Sequence, residues 1–259
     1  MPSRDRASIV RCAPAASVGL LILAAVVALA GPLDPPPGPP TPTFKTLGEV
    51  EPRTPIRSLA GGDTALHVID QPGSYYLTGP IQGEPGKSGI RVLVSDVSID
   101  LNGFTLQGAT GSLDGIDVGT IFAPLSNITV RNGSVQDWGQ AGIDAEQASS
   151  VLIESITASN NGGDGIRAGA SVNPPNGSVV RNTVASNNSG NGISIDNGVV
   201  ESCTANGNLF RGINAQSSTV ANTTATGNEG DGIGGSGSLN SSTAIANRQD
   251  GIRWSGTIT

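Results

Sequence analysis

The sequence predicts an all-β fold, a parallel β-helix in which the chain winds as a solenoid of short strands. A Gly-Ile dipeptide recurs at intervals of 19 to 27 residues, which is the repeat length of a solenoid and predicts roughly 7–9 coils. No helical periodicity separates the repeats. With 37 glycines and only 3% aromatic residues in 259, the core should consist of small and β-branched side chains. The dipeptides are Gly89-Ile90, Gly115-Ile116, Gly142-Ile143, Gly165-Ile166, Gly192-Ile193, Gly212-Ile213, Gly232-Ile233 and Gly251-Ile252.

An asparagine precedes each late Gly-Ile at a fixed distance, in the pattern N-x-x-x-G-I. Its neighbours are turn formers, and we expect the asparagines to stack as a ladder that hydrogen-bonds from coil to coil. A strand should start at each Gly-Ile, and a second strand should follow, centred on a later apolar residue such as Ile153 or Val180. The pattern therefore predicts two strands and two turns per coil. The ladder asparagines are Asn161, Asn188, Asn208, Asn228 and Asn247.

The domain organisation follows from composition. Residues 1–30 predict a secretory signal peptide, with a basic start, a short apolar run and a small-x-small cleavage motif that ends at Ala30. The alternative is an uncleaved N-terminal anchor. Residues 31–43 form a proline-rich linker, residues 44–88 are expected to hold an N-terminal cap and the first coils, and residues 89–259 carry the repeats. The chain should be secreted or displayed at the cell surface, and should touch the membrane only through its export signal.

No C-terminal cap is evident after the last Gly-Ile. The segment Trp254–Thr259 adds only a short strand-like stretch, and an uncapped last coil exposes unpaired strand edges. The expectation is either a truncated chain or end-to-end association at that coil.

The net charge and the few histidine and cysteine residues exclude several classes of function. The net charge is −7 and only 14% of residues are charged, which excludes a nucleic-acid binder and a disordered acidic tail. An acidic sugar ligand would need a bridging cation such as calcium. His67 is the only histidine and is expected at the surface. Cys203 should be a small core-side residue in the column of Thr183 and Thr223.

Three phrases near the start carry a family resemblance. They are PGSYYLTG from Pro72, GKSGI from Gly86 and VSIDLNGFTLQG from Val97. From about Leu47 to its end the chain resembles exported bacterial right-handed β-helix proteins of the pectate-lyase-like superfamily, most of which are uncharacterised. The resemblance implies a right-handed coil, and it implies relatives that mostly act on extracellular polysaccharides, although a fold alone does not license that function.

One outward column of side chains is the candidate site. Because Ile points inward in each Gly-Ile strand, the next residue points outward, and adjacent members should lie one strand spacing apart. The resemblance implies a lyase site in which Asp117 and Asp144 bind calcium and Arg91 or Arg167 removes a proton. The column is Arg91, Asp117, Asp144, Arg167, Ser194, Asn214, Gly234 and Arg253.

Ordinary pairing explains the same charges. Alternating charges across strands on a solvated face are common. The same alternation occurs in a second set of residues, where nothing indicates catalysis. This set is Glu154, Arg181 and Glu201. Aspartates also stand directly before four of the Gly-Ile dipeptides. They suit turn capping better than calcium binding. These four are Asp114, Asp164, Asp231 and Asp250.

The sequence therefore predicts an exported, non-catalytic β-helix module that binds carbohydrate or serves a structural role, without a cofactor. The expected partner is an extracellular polysaccharide, and no nucleic acid is expected. The alternative is a calcium-dependent polysaccharide lyase that uses Arg91, Asp117, Asp144 and Arg167.

Overall fold

The computed structural model describes residues 53–119, 124–169 and 177–259. The predicted signal peptide, residues 1–30, and the predicted linker, residues 31–43, lie outside the described residues, as does the start of the capping segment. No helix in the described part of the chain is long and apolar enough to cross a membrane.

The chain forms a parallel β-helix of about eight turns, as predicted, because strands from successive coils pair in parallel and in register. In the described part of the first coil a 3₁₀ turn, Ile56–Ser58, interrupts the strands. The Gly-Ile sheet contains β2 (Ala65–Ile69), β5 (Ser88–Val92), β8 (Ile116–Val118), β10 (Ile143–Ala145), β12 (Ile166–Ala168), β15 (Ile193–Asp196) and the first parts of β18 (Ile213–Ala221), β20 (Ile233–Asn240) and β22 (Ile252–Ile258).

Two further sheets complete each coil. The second sheet contains β1 (Thr54–Pro55), β3 (Gly73–Tyr76), β6 (Val97–Asp100), the first parts of β9 (Leu125–Gln136) and β11 (Ala148–Ser159), β13 (Val179–Arg181), β16 (Val199–Glu201) and the later parts of β18, β20 and β22. The third sheet contains β4 (Ile81–Gln82), β7 (Thr105–Gln107), the later parts of β9 and β11, β14 (Val184–Ser186), β17 (Thr204–Asn206), β19 (Thr224–Thr226) and β21 (Thr243–Ile245).

The third sheet corrects the prediction of two strands per coil. Its strands in the regular coils centre on the alanines that follow the second strand, such as Ala185 and Ala205, which pair with each other. A corner near a single residue with positive φ separates the two strands, as at Asn182 (φ 51) and Ser202 (φ 54). Such a corner needs no Gly-Pro cluster, so the usual sequence signal for a turn is absent.

Identical residues stack in the core of the solenoid. The isoleucine of each Gly-Ile strand lies on the isoleucine of the next coil from Ile90 to Ile252, and those from Ile90 to Ile233 are completely buried. Burying each of these side chains contributes about 1.5 to 3 kcal/mol. The stack holds the outward neighbours of these isoleucines in a straight column.

The predicted asparagine ladder is confirmed. The Asn188 side chain donates from Nδ2 to Asn208 Oδ1 at 3.0 Å and to the backbone oxygen of Ala158 at 3.1 Å. The same pattern recurs between the other ladder members, so the buried amides are paired. Trp138 takes the corner in the coil before Asn161, where its backbone N–H donates to Asn161 Oδ1 at 3.1 Å.

Candidate functional site

The outward column lies where the sequence predicts it. Arg91 pairs in register with Asp117, Asp117 with Asp144, and Asp144 with Arg167. Ser194 follows Arg167 in the next coil. The four candidate residues are therefore neighbours on successive strands β5, β8, β10 and β12. Their catalytic and metal-binding roles stay predictions.

Ion pairs tie this column together. The Nε atom of Arg91 lies 3.3 Å from Asp117 Oδ2, but its geometry gives no hydrogen bond, so the attraction is one of charge. Arg91 Nη1 donates instead to Thr64 Oγ1 at 3.0 Å. Arg167 Nη1 lies 3.3 Å from Asp144 Oδ2. Each candidate aspartate thus faces one arginine.

Arg167 forms ion pairs with two more carboxylates. Its Nη1 lies 3.3 Å from Glu146 Oε2, and its Nε lies 3.4 Å from Asp164 Oδ2. Burial opposes the protonated form, but the charges of Asp144, Asp164 and Glu146 outweigh it and raise the pKa of Arg167. A side chain held in its protonated form in this way is a poor proton acceptor.

A groove of about 360 Å³ opens over the first half of this column. Three carboxylates and one guanidinium contribute to it, so its surface is polar and carries net negative charge. Its lining is Arg91, Asp117, Val118, Gly119, Asp144, Glu146 and Gln147. We call this cavity the acidic groove.

Two carboxyl groups that line the acidic groove, those of Asp117 and Asp144, have raised pKa values. Burial raises the pKa of Asp117, opposed by Arg91 and reinforced by Asp144. Burial likewise raises the pKa of Asp144. Behind them, burial raises the pKa of Asp114 to about 6, although the backbone N–H of Ala141 opposes the shift. Asp117 and Asp144 therefore take up protons at a higher pH than ordinary aspartates do, and the acidic groove loses negative charge when they do so.

The fit of calcium can be judged from the donors. Carboxylate oxygens are the ligands that calcium prefers, and it takes six to eight of them. Asp117 and Asp144 are of the right type, but each already faces an arginine. No three His, Cys, Asp or Glu side chains within residues 53–119, 124–169 and 177–259 are grouped so that they could hold a metal ion. As placed, this donor set does not fit a calcium ion.

Sequence reasoning missed the two polar residues that line the acidic groove beyond the outward column, Glu146 and Gln147. Both follow Asp144 in the turn after β10, and the Glu146 backbone N–H donates to Asp144 Oδ1 at 3.1 Å. An aspartate that accepts from the backbone N–H two residues later forms an Asx turn. The sequence Asp144-Ala145-Glu146, which can form such a turn, was the available signal.

Three of the four aspartates that precede Gly-Ile, Asp114, Asp164 and Asp231, accept hydrogen bonds from backbone N–H groups, as expected for turn capping. Asp114 Oδ1 accepts from the backbone N–H of Ala141 at 2.8 Å, and Asp164 Oδ1 accepts from that of Asn191 at 2.6 Å. In the later coils Asp231 Oδ1 accepts from the N–H of Asp250 at 3.3 Å. Each carboxylate thus satisfies a backbone donor in the next coil.

The second charged set lies on the second sheet. Arg181 donates to Glu154 Oε2, with Nη2 at 2.6 Å, and Arg181 also pairs in register with Glu201. Arg131 and Asp100, 3.3 Å apart, extend the set toward the first coil. Cross-strand charge pairing therefore occurs on two faces of this solenoid.

His67 and Cys203 have structural surroundings. His67 is half-buried at the inward position of the first coil, in register with Ile90, and its Nδ1 lies 3.3 Å from the Leu59 oxygen. It is therefore less exposed than predicted. Cys203 is buried, as expected, and burial raises the pKa of its thiol to about 11. A buried thiol with so high a pKa is unreactive.

Solved structures with this architecture share little sequence with the chain. The Azotobacter vinelandii mannuronan C-5 epimerase AlgE4 A-module is 14% identical, with a TM-score of 0.52 over 80% of this chain and 86% of that one. The AlgE6 A-module of the same organism is 18% identical, with a TM-score of 0.45 over 75% of this chain. Pectate lyase Pel9A is 16% identical, with a TM-score of 0.38 over 68% of this chain and 54% of that one.

These likenesses concern the fold alone, and this chain spans 64% of the length of the AlgE6 A-module. No curated protein matches the chain significantly. Residues 83–216, more than half of the sequence, match the family described as the right-handed beta helix region, and the chain therefore belongs to the right-handed β-helix family.

Proposed function

We propose that this chain is an exported, non-catalytic module that binds extracellular polysaccharide along the outward face of the Gly-Ile sheet. The observation that carries the proposal is the acidic groove, an open cavity over neighbouring strands with planar charged and amide side chains in its walls. Its volume of about 360 Å³ lies within the range of small-ligand sites. Carboxylates, guanidinium groups and amides all suit the hydroxyl groups of sugars.

The pairing of the charges favours binding over catalysis. A general acid or base needs a proton that moves in the reaction. Arg167 is surrounded by three carboxylates that stabilise its protonated form. Asp117 and Asp144 each face an arginine. Such a network holds the side chains still, which suits recognition.

Charge also selects the class of polysaccharide. Three carboxylates, Asp117, Asp144 and Glu146, line the groove, and only two guanidinium groups oppose them, Arg91 in the lining and Arg167 beside it. A sugar carboxylate entering the groove would therefore meet net negative charge. We therefore expect a neutral polysaccharide. The AlgE4 A-module, named for the uronic-acid polymer mannuronan, is a precedent for a polysaccharide-acting protein with this fold, and the choice of a neutral polysaccharide rests on the charge of the groove alone.

Calorimetric titration tests the proposal. The probes are the neutral hexasaccharides cellohexaose, laminarihexaose and mannohexaose, with hexamers of mannuronate and galacturonate for comparison. At least one neutral probe should bind, and Asp144→Ala should weaken that binding by about tenfold or more, which corresponds to about 1.4 kcal/mol. Glu201→Ala, a charge removed from the second sheet, should leave it unchanged. Absence of binding to every probe sinks the proposal.

A lyase acting on the same face is the second candidate. The observation in its favour is the adjacency of Asp117 and Asp144 between Arg91 and Arg167. In this alternative an arginine removes the proton next to a uronate carboxylate. The calcium dependence expected from the sequence lacks a fitting donor set, so we derive no step through the metal.

The lyase alternative has a direct assay, the ultraviolet absorbance of unsaturated product formed from polygalacturonate or alginate, with and without calcium. Asp144→Ala is the test variant and Glu201→Ala the control. A rise that disappears only in Asp144→Ala would replace the binding proposal. A flat trace from folded protein leaves binding as the function.

A further inference from the structure

We propose that Phe210 and Arg211 form a second carbohydrate subsite, in which the aromatic ring packs on the face of a neutral pyranose and the guanidinium binds its hydroxyl groups. The subsite lies over the sixth and seventh Gly-Ile coils, away from the acidic groove. This inference rests on the proposed function, because it assigns another contact to the same polysaccharide. The two are separable by experiment.

The turn that carries the subsite departs from its neighbours. In the adjacent coils the second residue after the ladder asparagine is Gly190 or Gly230, and in this coil it is Phe210. The backbone hydrogen bonds from coil to coil are the same at all three positions. The Phe210 N–H donates to the Gly190 oxygen at 3.1 Å, and the Phe210 oxygen accepts from the Gly230 N–H at 2.9 Å. The fold thus makes no use of the phenyl ring.

The ring is also exposed. Phe210 is 62% accessible and its neighbour Leu209 is 58% accessible, in a chain with only 3% aromatic residues. Leu209 and Phe210 thus place two adjacent apolar side chains in water at one turn, and exposed apolar patches of this kind occur in ligand-binding grooves. An aromatic ring offers such a surface with little loss of conformational entropy.

Arg211 is held in place behind this ring. Its Nε donates to Asp231 Oδ2 at 3.0 Å, and the Asp231 side chain is only 2% exposed. Its Nη1 donates to Asn214 Oδ1 at 2.8 Å. Nη2 has no hydrogen-bond partner within the described ranges of the chain. The guanidinium is therefore fixed by a buried carboxylate while part of it stays available to a ligand.

A missing side chain in the outward column makes room for this arginine. At Gly234 a β-carbon would lie 2.8 Å from Arg211 Nε and 3.0 Å from its Cδ. The arginine side chain thus crosses the sheet at the one glycine of the column.

Phe210 and Arg211 line one cavity of about 430 Å³. Amide groups of Asn191, Asn214 and Gln249 complete its polar lining. The acidic groups there are matched by cations, because Asp231 pairs with Arg211 and Glu229 pairs with Arg248. One apolar ring beside several hydrogen-bonding groups of balanced charge suits a neutral pyranose, which has a C–H face and a rim of hydroxyl groups.

The distance between this subsite and the acidic groove favours an oligosaccharide as the ligand. Asp144, Arg167, Ser194 and Asn214 follow one another in the same outward column, so Asn214 lies three strand spacings, about 14 Å, from Asp144. Only an oligosaccharide of several residues spans both places. We therefore expect hexasaccharides to bind more tightly than disaccharides of the same linkage.

The experiment compares Phe210→Gly and Arg211→Lys with wild type in calorimetric titrations of cellohexaose, laminarihexaose and mannohexaose. Phe210→Gly installs the residue that the neighbouring turns already use, so folding should be preserved. Both variants should weaken the binding of that neutral hexasaccharide by about tenfold, which corresponds to about 1.4 kcal/mol. Ile245→Ala, which removes an equally exposed apolar side chain from the third sheet, is the matched control and should have no effect.

The outcomes separate the two proposals. Affinity that falls in Asp144→Ala and is unchanged in Phe210→Gly and Arg211→Lys overturns the subsite and leaves the proposed function standing. Affinity that falls in Phe210→Gly and not in Asp144→Ala supports the subsite and removes the acidic groove from the proposed function. No binding of any hexasaccharide by the wild-type protein overturns both.

Discussion

Removing one amide from the asparagine ladder tests how much the ladder stabilises the coil. Asn208→Ala deletes four hydrogen bonds made by the side chain. Its Nδ2 donates to the Ala185 oxygen at 3.2 Å and to Asn228 Oδ1 at 2.9 Å. Its Oδ1 accepts from both the backbone N–H and the side-chain Nδ2 of Asn188, each at 3.0 Å.

The loss of stability in Asn208→Ala follows from the N–H donors of Asn188 that lose their acceptor. Asn188 would keep two buried N–H groups without an acceptor, and each unsatisfied buried group costs about 1 to 3 kcal/mol. We therefore expect Asn208→Ala to lower the free energy of unfolding by about 2 to 6 kcal/mol. That is a large share of the roughly 5 to 15 kcal/mol that stabilises a typical domain.

Urea unfolding followed by circular dichroism measures the loss, and hydrogen exchange at the Asn188 backbone amide reports on it locally. Asn206→Ala is the matched control, because Asn206 lies two residues away on β17 and is half-buried facing outward. Its replacement should change stability by less than about 0.5 kcal/mol. A loss below about 1 kcal/mol in Asn208→Ala, with Asn188 still protected, would refute the reasoning.

Three further predictions concern single positions. Because the pKa of Asp114 is raised to about 6 in the folded protein, its protonation stabilises the fold below about pH 4 and this stability is lost as the pH rises through about 6. Asp114→Asn should remove that dependence from urea midpoints measured across this window, and an unchanged slope would contradict it. Gly212→Ala should destabilise by about 1 to 3 kcal/mol, because a β-carbon would lie 2.6 Å from the ladder amide Nδ2 of the next coil. Gly227→Ala has open space at φ +64 and should cost only about 1 kcal/mol of backbone strain in the same titration. Cys203→Thr, the residue type of its column, should change stability by less than about 1.5 kcal/mol, and the wild-type thiol should react with a thiol reagent only after unfolding.

Because of the repeats, much of the fold could be predicted from the sequence. Strand side chains alternate with period two, so an isoleucine that recurs after every glycine fixes both the buried stack and its outward neighbours, from Arg91 through Arg167. The asparagine ladder was readable for the same reason, because a buried amide in a repeating corner must find its partner in the next copy.

The third sheet was not readable in this way. Its strands are three residues long in the regular coils and follow a corner at a single residue such as Asn182, which resembles any polar residue inside a strand. The candidate site was readable only in part. The column predicted that Asp117 and Asp144 are neighbours, but Glu146 reaches Arg167 through a turn whose direction depends on the packing of the coil.

By itself the sequence determined the solenoid, the inward stack and the order of charges in the outward column, because these follow from local spacing repeated along the chain. Only the tertiary structure decided which charged side chains form ion pairs and how their pKa values shift. The backbone N–H of Ala141 acts on the pKa of Asp114, Arg167 meets Asp144 and Glu146, and the cavity beside Phe210 includes Asn191 and Glu229, and each of these contacts joins residues about 19 to 27 positions apart in sequence. Burial and Coulomb energy depend on distance through space, and the stacking of coils brings such residues within a few ångströms.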